Sequence, residues 1–341
     1  MIPRVSIILS VYKRTGYLAE SLSSALAQSY GDFEIIVADD SGTHASKQIV
    51  AACGDIERVN YLPNPTTLGI ASSVARAVEH ARGDLIAILN DDDIWEQNLL
   101  AELVAPLEAD AGLVLATSDH WIMDASGHID VGLSDSWSVD FGRALLPKGI
   151  VTNAAEFVVV KGGPAINISS VFRKDAVNWS LLVPDVAGAY DYWISCLLAA
   201  TRRPIYYVPK RLGRWRVHGG METSRRSHDI RENLVYIYST MLQRGWFPEL
   251  EAILKARLAE ALFVVGRDKL QFDRAKEARS FLWQSFLLNH RPRALIHAGA
   301  SFLPWPIRAQ LKACLRVLRK VKGTPAEKKG QTRLGNIFSN R

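Results

Sequence analysis

The chain has 341 residues, 48% of them hydrophobic and 22% charged, a composition that excludes a disordered or fibrous chain and is large enough for one sizeable core plus an appendage. Cys53, Cys196 and Cys314 are far apart and odd in number, so neither a disulfide framework nor a cysteine metal site is written here, and a reduced compartment follows. The net charge of +6 is concentrated at one end: positions 308–341 hold ten Lys or Arg against Glu327 alone, which leaves the remainder slightly acidic.

In chain order, the N-terminal run MIPRVSIILSVYKR has too short an apolar stretch for a secretory signal and lacks a small-residue cleavage site. Val5 to Val11 reads instead as a first buried strand. Tyr17 to Gln28 repeats apolar residues at helical spacing. Phe33 to Ala38 is a second strand, Ser46 to Cys53 a second helix, Val59 to Leu62 a third strand, Gly69 to Ala81 a third helix and Leu85 to Leu89 a fourth strand. Strands alternating with helices of this length predict βαβ units and a parallel, Rossmann-like sheet. The fourth strand, apolar throughout, belongs in the sheet centre.

That strand runs directly into Asn90, Asp91, Asp92 and Asp93. Three adjacent carboxylates repel one another unless a cation sits among them. The carboxyl edge of an open α/β sheet is also where ligands bind. A hard divalent cation, Mn²⁺ or Mg²⁺, that shares its oxygen ligands with bound phosphates fits this chemistry. The plainer alternative is that the aspartates cap a helix beginning near Trp95, for which one Asp would suffice. A second acidic pair, Asp39 and Asp40, follows strand two at the same edge. A dinucleotide fold would place G-x-G-x-x-G after strand one; the turn here runs from Ser10 through Tyr12 to Gly16 without it, so a Gly-rich phosphate cradle is excluded.

Further on, Leu113 to Asp119 is apolar, and Asp124-Ala125-Ser126-Gly127 predicts a hairpin turn between two short strands. Asp119-His120 reads more readily as a polar strand end than as a metal pair. Residues 132–163 read as an irregular, Gly-rich loop segment over a site. Ile166 to Phe172 is a strand; a helix starts at Tyr190, with Asp191 in its first turn; Pro204 to Val208 is a strand, followed by Leu212 to His218. After about Ser227 only helical patterns remain. The boundaries expected are a catalytic domain over 1–226, helices over 227–322 and a disordered basic tail over 323–341. The last helix, from about Pro304, sets Ile307, Leu311, Leu315 and Leu318 beside a basic row, the pattern of an interfacial anchor on an anionic membrane. No reading motif for nucleic acid accompanies the charge, and no apolar run reaches the ~18 residues of a membrane span.

Several of these motifs occur in an order that resembles glycosyltransferase family 2: Pro3 to Ile8 leading to Tyr12, Leu22 to Tyr30, Phe33 to Gly42, Gly69, Gly83-Asp84 and Leu89 to Asp93. The resemblance covers about residues 3–220. It implies a GT-A fold, that is, a mixed, mainly parallel sheet flanked by helices, here with a C-terminal all-helical extension. It also implies inverting transfer of a sugar from a nucleotide donor. On that reading Ser10, Tyr12, Asp39, Asp40 and Asp91 contact the nucleotide; Asp92, Asp93 and His218 hold the metal; Arg216 flanks the diphosphate; and Asn167 and Ser169 face the acceptor. Asp191 falls where the family keeps its general base, which an acceptor hydroxyl needs as it attacks. Asn90 stands where the family has the first Asp of Asp-x-Asp, and Ala75 where it often has Asn. The implied partners are a UDP- or dTDP-sugar and a saccharide or lipid-linked saccharide of a bacterial surface polysaccharide, at the inner face of the plasma membrane. A sugar-phosphate nucleotidyltransferase and a non-catalytic scaffold are the alternatives.

Overall fold

The computed structural model describes residues 2–12, 15–43, 46–55, 57–219, 227–290, 292–304 and 307. The chain divides into two compact units, Met1–Arg225 and Arg226–Arg341.

The first unit is built on a mixed sheet. Its elements run β1 (Val5–Val11), α1 (Thr15–Leu26), β2 (Phe33–Asp39), α2 (Ser46–Ala52), β3 (Val59–Pro63), α3 (Ile70–His80), β4 (Leu85–Asn90), β5 (Ile94–Trp95), α4 (Leu99–Ala109), β6 (Leu115–Met123), α5 (Val131–Asp140), β7 (Gly149–Ile150), β8 (Ser170–Arg173), α6 (Tyr190–Ala200) and β9 (Ile205–Arg216). The strand order is β3-β2-β1-β4-β8-β6-β9-β5, with β7 on β9. β3, β2, β1 and β4 are mutually parallel, β8 is antiparallel to β4 and β6, and β6 and β9 are parallel again. The central strands are buried on both faces, which is why ten of the fourteen residues of VSIILSV and FEIIVAD are apolar. On one face Leu18 and Leu22 of α1 and Leu99 and Leu103 of α4 close the core over Ile7, Leu9, Ile35 and Leu89. α3 supplies a second buried stripe, Ala71, Val74, Ala77 and Val78.

Register brings the functional edge together. Val11 pairs with Asp39 and Ser10 with Asn90, so the carboxyl ends of β1, β2 and β4 lie side by side. The turn entering β4 is pinned from behind. Buried Glu34 accepts from Ser6 Oγ (2.7 Å), Arg82 N (2.8 Å) and Arg82 Nε (2.8 Å), and Gly83 N donates to Ser6 Oγ (2.8 Å). A Cβ on Gly83 would lie 2.7 Å from Ser6 N and 2.8 Å from Val5 C, both backbone. Gly83→Ala therefore forces β1 and β4 apart. We expect about 1–3 kcal/mol of destabilisation, read in a thermal melt as a fall of roughly 3–8 °C; an unchanged Tm would refute this packing.

Three expectations are corrected. The helix expected near Trp95 begins at Leu99, because Ile94 and Trp95 instead pair with Arg214 and Gly213 as β5. The segment 132–163 is not simply irregular. Asp130 accepts from Leu133 N (2.9 Å) and caps α5, and a five-residue π-turn spans Glu156–Val160. The second strand of the hairpin shrinks to one bridge, Met123 to Ile129, after a turn in which Asp124 Oδ1 accepts from Ser126 N (2.8 Å) and His128 N (3.1 Å).

The second unit is helical: α7 (Ser227–Gln243), α8 (Glu251–Gln271), α9 (Ala275–Asn289) and α10 (Pro292–Ala300). Leu254, Leu258 and Leu262 are buried, whereas Ile253 and Phe272 are exposed. Gly266 lets α8 and α9 approach closely, since a Cβ there would meet Leu282 Cγ at 2.7 Å. The expected basic row and tail, 308–341, lie outside the described residues. Among the described residues no helix is long and apolar enough to cross a membrane.

Candidate active site

The end of β4 distributes its polar groups over different tasks. Asp91, fully buried, accepts from Tyr12 N through Oδ2 (2.9 Å) and so tethers the turn after β1. Asp93, also fully buried, accepts from Arg216 N through Oδ1 (2.9 Å) and from Asn90 Nδ2 through Oδ2 (3.4 Å). Asp92 Oδ2 meets His218 Nε2 at 3.0 Å. Asp93, expected as a metal ligand, thus serves a strand backbone, while Asp92 and His218 converge from positions 126 residues apart.

Asn90 explains its own departure from Asp-x-Asp. Its Oδ1 accepts from Ser10 Oγ (3.0 Å) and from Tyr190 OH (3.2 Å). A carboxylate here would add a fourth negative charge to a buried row; the amide gives an acceptor for two hydroxyls and a donor for Asp93. Tyr190 opens α6, so this bond brings the helix carrying Asp191 to the β4 edge. Burial, then the charges of Asp191, Asp93 and Asp92, hold the Tyr190 phenol well above its usual value, and Asn167 hydrogen-bonds it. Asp191 is half-buried, with Oδ1 accepting from Tyr192 N (2.8 Å). Burial pushes its carboxyl upward, only partly offset by that backbone donor.

At the β2 end, burial would raise Asp39, but donors from Ser46, Tyr61 and Ser41 outweigh it and hold its carboxyl below the usual value. Tyr61 OH donates at 2.6 Å and Ser41 N at 2.9 Å. Asp40 staples the following loop: Oδ1 accepts from Asn64 Nδ2 (2.8 Å) and Leu68 N (2.7 Å), and Oδ2 from Gly69 N (2.9 Å). Arg76 Nη1 reaches Asn64 Oδ1 (2.8 Å). Both aspartates line the expected edge with their oxygens already engaged by protein.

Arg216 departs from the expected diphosphate contact. Its side chain is 2% exposed. Nε donates to Asp92 O (2.8 Å), Nη2 to Glu20 Oε2 (2.6 Å), Nη1 reaches Ala125 O (3.4 Å), and the guanidinium lies 4.5 Å over the Tyr17 ring. It is a strut that holds the acidic turn and presents His218 two residues later. Ser169, expected at the acceptor, is fully buried and donates to Ser118 O (3.0 Å), stitching the turn before β8 to β6. Arg214 pairs with Glu96 (2.7 Å). Tyr17, Glu20, Asn64 and Tyr190 were missed by sequence reasoning. Tyr190 adjoins Asp191 and was detectable as a neighbour; the others carry no signal beyond their residue type.

Among the described residues no group of three or more His, Cys, Asp or Glu side chains forms a ready cation cage. A carboxylate and an imidazole 3.0 Å apart at a sheet edge nonetheless fit a hard cation that takes its remaining oxygens from phosphates and water.

Residues 6–128 match the model of the glycosyl transferase family 2. The β-1,3-glucosyltransferase WfgD of Escherichia coli, whose name gives UDP-Glc and α-D-GlcNAc-diphosphoundecaprenol as its substrates, is 35% identical over 96 residues, 28% of this chain and 38% of WfgD. TarS of S. aureus, solved with UDP-GlcNAc, superposes with a TM-score of 0.59 at 14% identity, over 91% of this chain and 92% of the TarS chain. The mannosyltransferase PcManGT of Pyrobaculum calidifontis, solved with GDP-Man and Mn²⁺, gives 0.54 at 17% identity, over 92% and 85%. The matches span between 33% and 42% of the length of the curated relatives. The first unit therefore has the GT-A fold. By sequence, residues 6–128 are similar to glycosyl transferase family 2.

Proposed function

We propose that the chain is a metal-dependent, inverting glycosyltransferase that takes its sugar from a UDP- or dTDP-sugar and passes it to a saccharide acceptor of a bacterial surface polysaccharide. The observation that carries this reading is the Tyr190–Asn90 hydrogen bond (3.2 Å), which sets the first turn of α6, and with it Asp191, beside the acidic end of β4. Asp92 and His218 would hold Mn²⁺ or Mg²⁺. When bound, such a cation stabilises the negative charge left on a departing nucleoside diphosphate. Ser10, Tyr12, Asp39, Asp40 and Asp91 shape the nucleotide pocket, chiefly by fixing the loops around it. Asp191 takes the acceptor hydroxyl proton as that oxygen bonds to the anomeric carbon and the bond from that carbon to the diphosphate oxygen breaks. A carboxyl raised by burial is a stronger base than a solvated one, and it is poised where a single displacement needs a base and no covalent nucleophile. Asn167, held against Tyr190, is kept as the acceptor-side contact. A diphosphate-linked lipid acceptor, as in WfgD's name, agrees with the basic row at 308–341, which would meet anionic lipid at about 1 kcal/mol per residue near the surface.

A thermal-shift panel of nucleotide sugars, with and without Mn²⁺, tests the class and the donor together. One uridine or thymidine donor is expected to raise Tm by roughly 5–10 °C at a hundredfold excess over Kd, only when Mn²⁺ is present. A flat panel would favour a non-catalytic scaffold.

A further inference from the structure

Between α5 and β9 lies a cavity of about 350 Å³, lined among others by Asp119, Asp135, Ser138, Arg143, Tyr207 and Arg211. None of its lining residues belongs to the carboxyl ends of β1, β2 or β4, so it is separate from the donor edge. Its chemistry is unbalanced. Asp119 is the shared counter-charge of two guanidiniums, at 2.8 Å from Arg143 Nε and 3.4 Å from Arg211 Nε. Arg211 is further served by Asp135 (2.5 Å) and stacks 4.3 Å over Trp121. Among the described residues Arg143 has no second carboxylate. It is 3% exposed, donates through Nη1 to Gly163 O (3.0 Å), and its buried Nη2 has no hydrogen-bond partner among them. Burial draws Arg143 below its ordinary value, against the pull of Asp119. His120, beside Asp119, is pulled down to about 3 by burial and is neutral at working pH, so it neither adds to nor relieves the positive charge.

A buried guanidinium N–H without an acceptor is a costly state, and native proteins resolve it with a partner. The missing partner is an acceptor, which excludes a cation and an apolar ligand. Lys210 is already paired with Glu102 (2.5 Å) and Arg211 with Asp135 (2.5 Å), so the open demand is that of the Arg143 guanidinium, and the acceptor a cation favours is anionic. Guanidiniums take carboxylate and phosphate in a fork geometry. We propose that this cavity is a binding subsite for an oxyanion, a carboxylate or phosphate, with Arg143 as its anchoring donor. Two sources share that chemistry: an acidic group on a sugar, and free inorganic phosphate. The cavity has room for a sugar ring or for a small ion. Only the first source rests on the glycosyl-transfer reading.

The test is a thermal-shift titration of the full chain at constant ionic strength with inorganic phosphate, glucuronate and, as a neutral control, glucose. Phosphate or glucuronate at tens of millimolar is expected to raise Tm by about 2–4 °C, with no shift from glucose. Phosphate alone points to the free ion, and glucuronate alone or more strongly to a sugar acid. The shift should vanish in Arg143→Gln. Should that variant fail to fold, Val139→Glu decides: Val139 lines the same cavity and is 63% exposed, so a carboxylate there leaves the fold intact and repels the anion. Absence of any shift in the native chain, an equal shift from glucose, or a full shift retained in Val139→Glu overturns the proposal. The response to a UDP-sugar with Mn²⁺, measured on the same samples, reports the donor site separately, so failure of one reading is not mistaken for failure of the other.

Discussion

Asp191→Asn should lower kcat by about 10²–10⁴-fold, the range general-base groups supply, while leaving the Kd for nucleotide sugar within twofold. The asparagine keeps the shape of the side chain, and its carbonyl can still accept from Tyr192 N, so the first turn of α6 and the Tyr190–Asn90 bond should survive. What is lost is the capacity to accept a proton. The same residue sets the pH dependence. Because burial raises its carboxyl, the base is protonated, and the rate falls, at a higher pH than a solvated aspartate would allow. The acid limb of kcat against pH therefore lies above the ordinary carboxylate range, and a solvent-facing base would put it within that range. The sign for stability is opposite to that of a salt-bridged Asp. A raised folded-state value stabilises the fold fully below the unfolded value, and this contribution is lost as pH rises through the folded one. The ionised Asp191 carboxylate is thus a strain that the fold carries at working pH.

Asp92→Ala should lower kcat/KM by at least about 10²-fold, through the loss of charge stabilisation at the leaving diphosphate. Its neighbours do not share this fate. Asp91 and Asp93 are fully buried and engaged with the backbone at Tyr12 and Arg216, so their removal should appear first as lost stability. Asp92 meets an imidazole at 3.0 Å and no backbone strand donor at Tyr12 or Arg216, so its removal should lower Tm less than that of either neighbour. Kinetic assays and melts on the three alanine variants separate the roles. Equal behaviour of all three would contradict the division drawn from the geometry.

The parallel half of the sheet was legible because its signal is local. Val5 to Val11, Phe33 to Asp39 and Leu85 to Asn90 are apolar runs that end in polar residues, and parallel register then forces those ends together. Two things were not legible. β5 and the long β9 depend on pairing across more than a hundred residues, so Ile94 and Trp95 read as the entry to a helix. Division of labour among adjacent carboxylates was equally hidden. Nothing in Asn-Asp-Asp-Asp says that Asp93 serves Arg216 N, or that Asn90 is the joint with Tyr190, because both partners arrive from 100 or more residues further on. Arg216 looked like a phosphate contact for the same reason: its residue type suits an anion, and only burial and Glu20 reveal a strut. α5 was missed because its start rests on a single cap, Asp130, with little apolar periodicity behind it.

The most direct test is isothermal titration of UDP into the native chain and into Asp92→Ala, each with Mn²⁺ and with EDTA. The account predicts binding to the native chain that weakens at least about tenfold when EDTA replaces Mn²⁺, a difference of about 1.4 kcal/mol, and an Asp92→Ala protein whose affinity is the same in both buffers. UDP binding to the native chain that ignores the metal, or an Asp92→Ala protein that keeps the full metal effect, would contradict it.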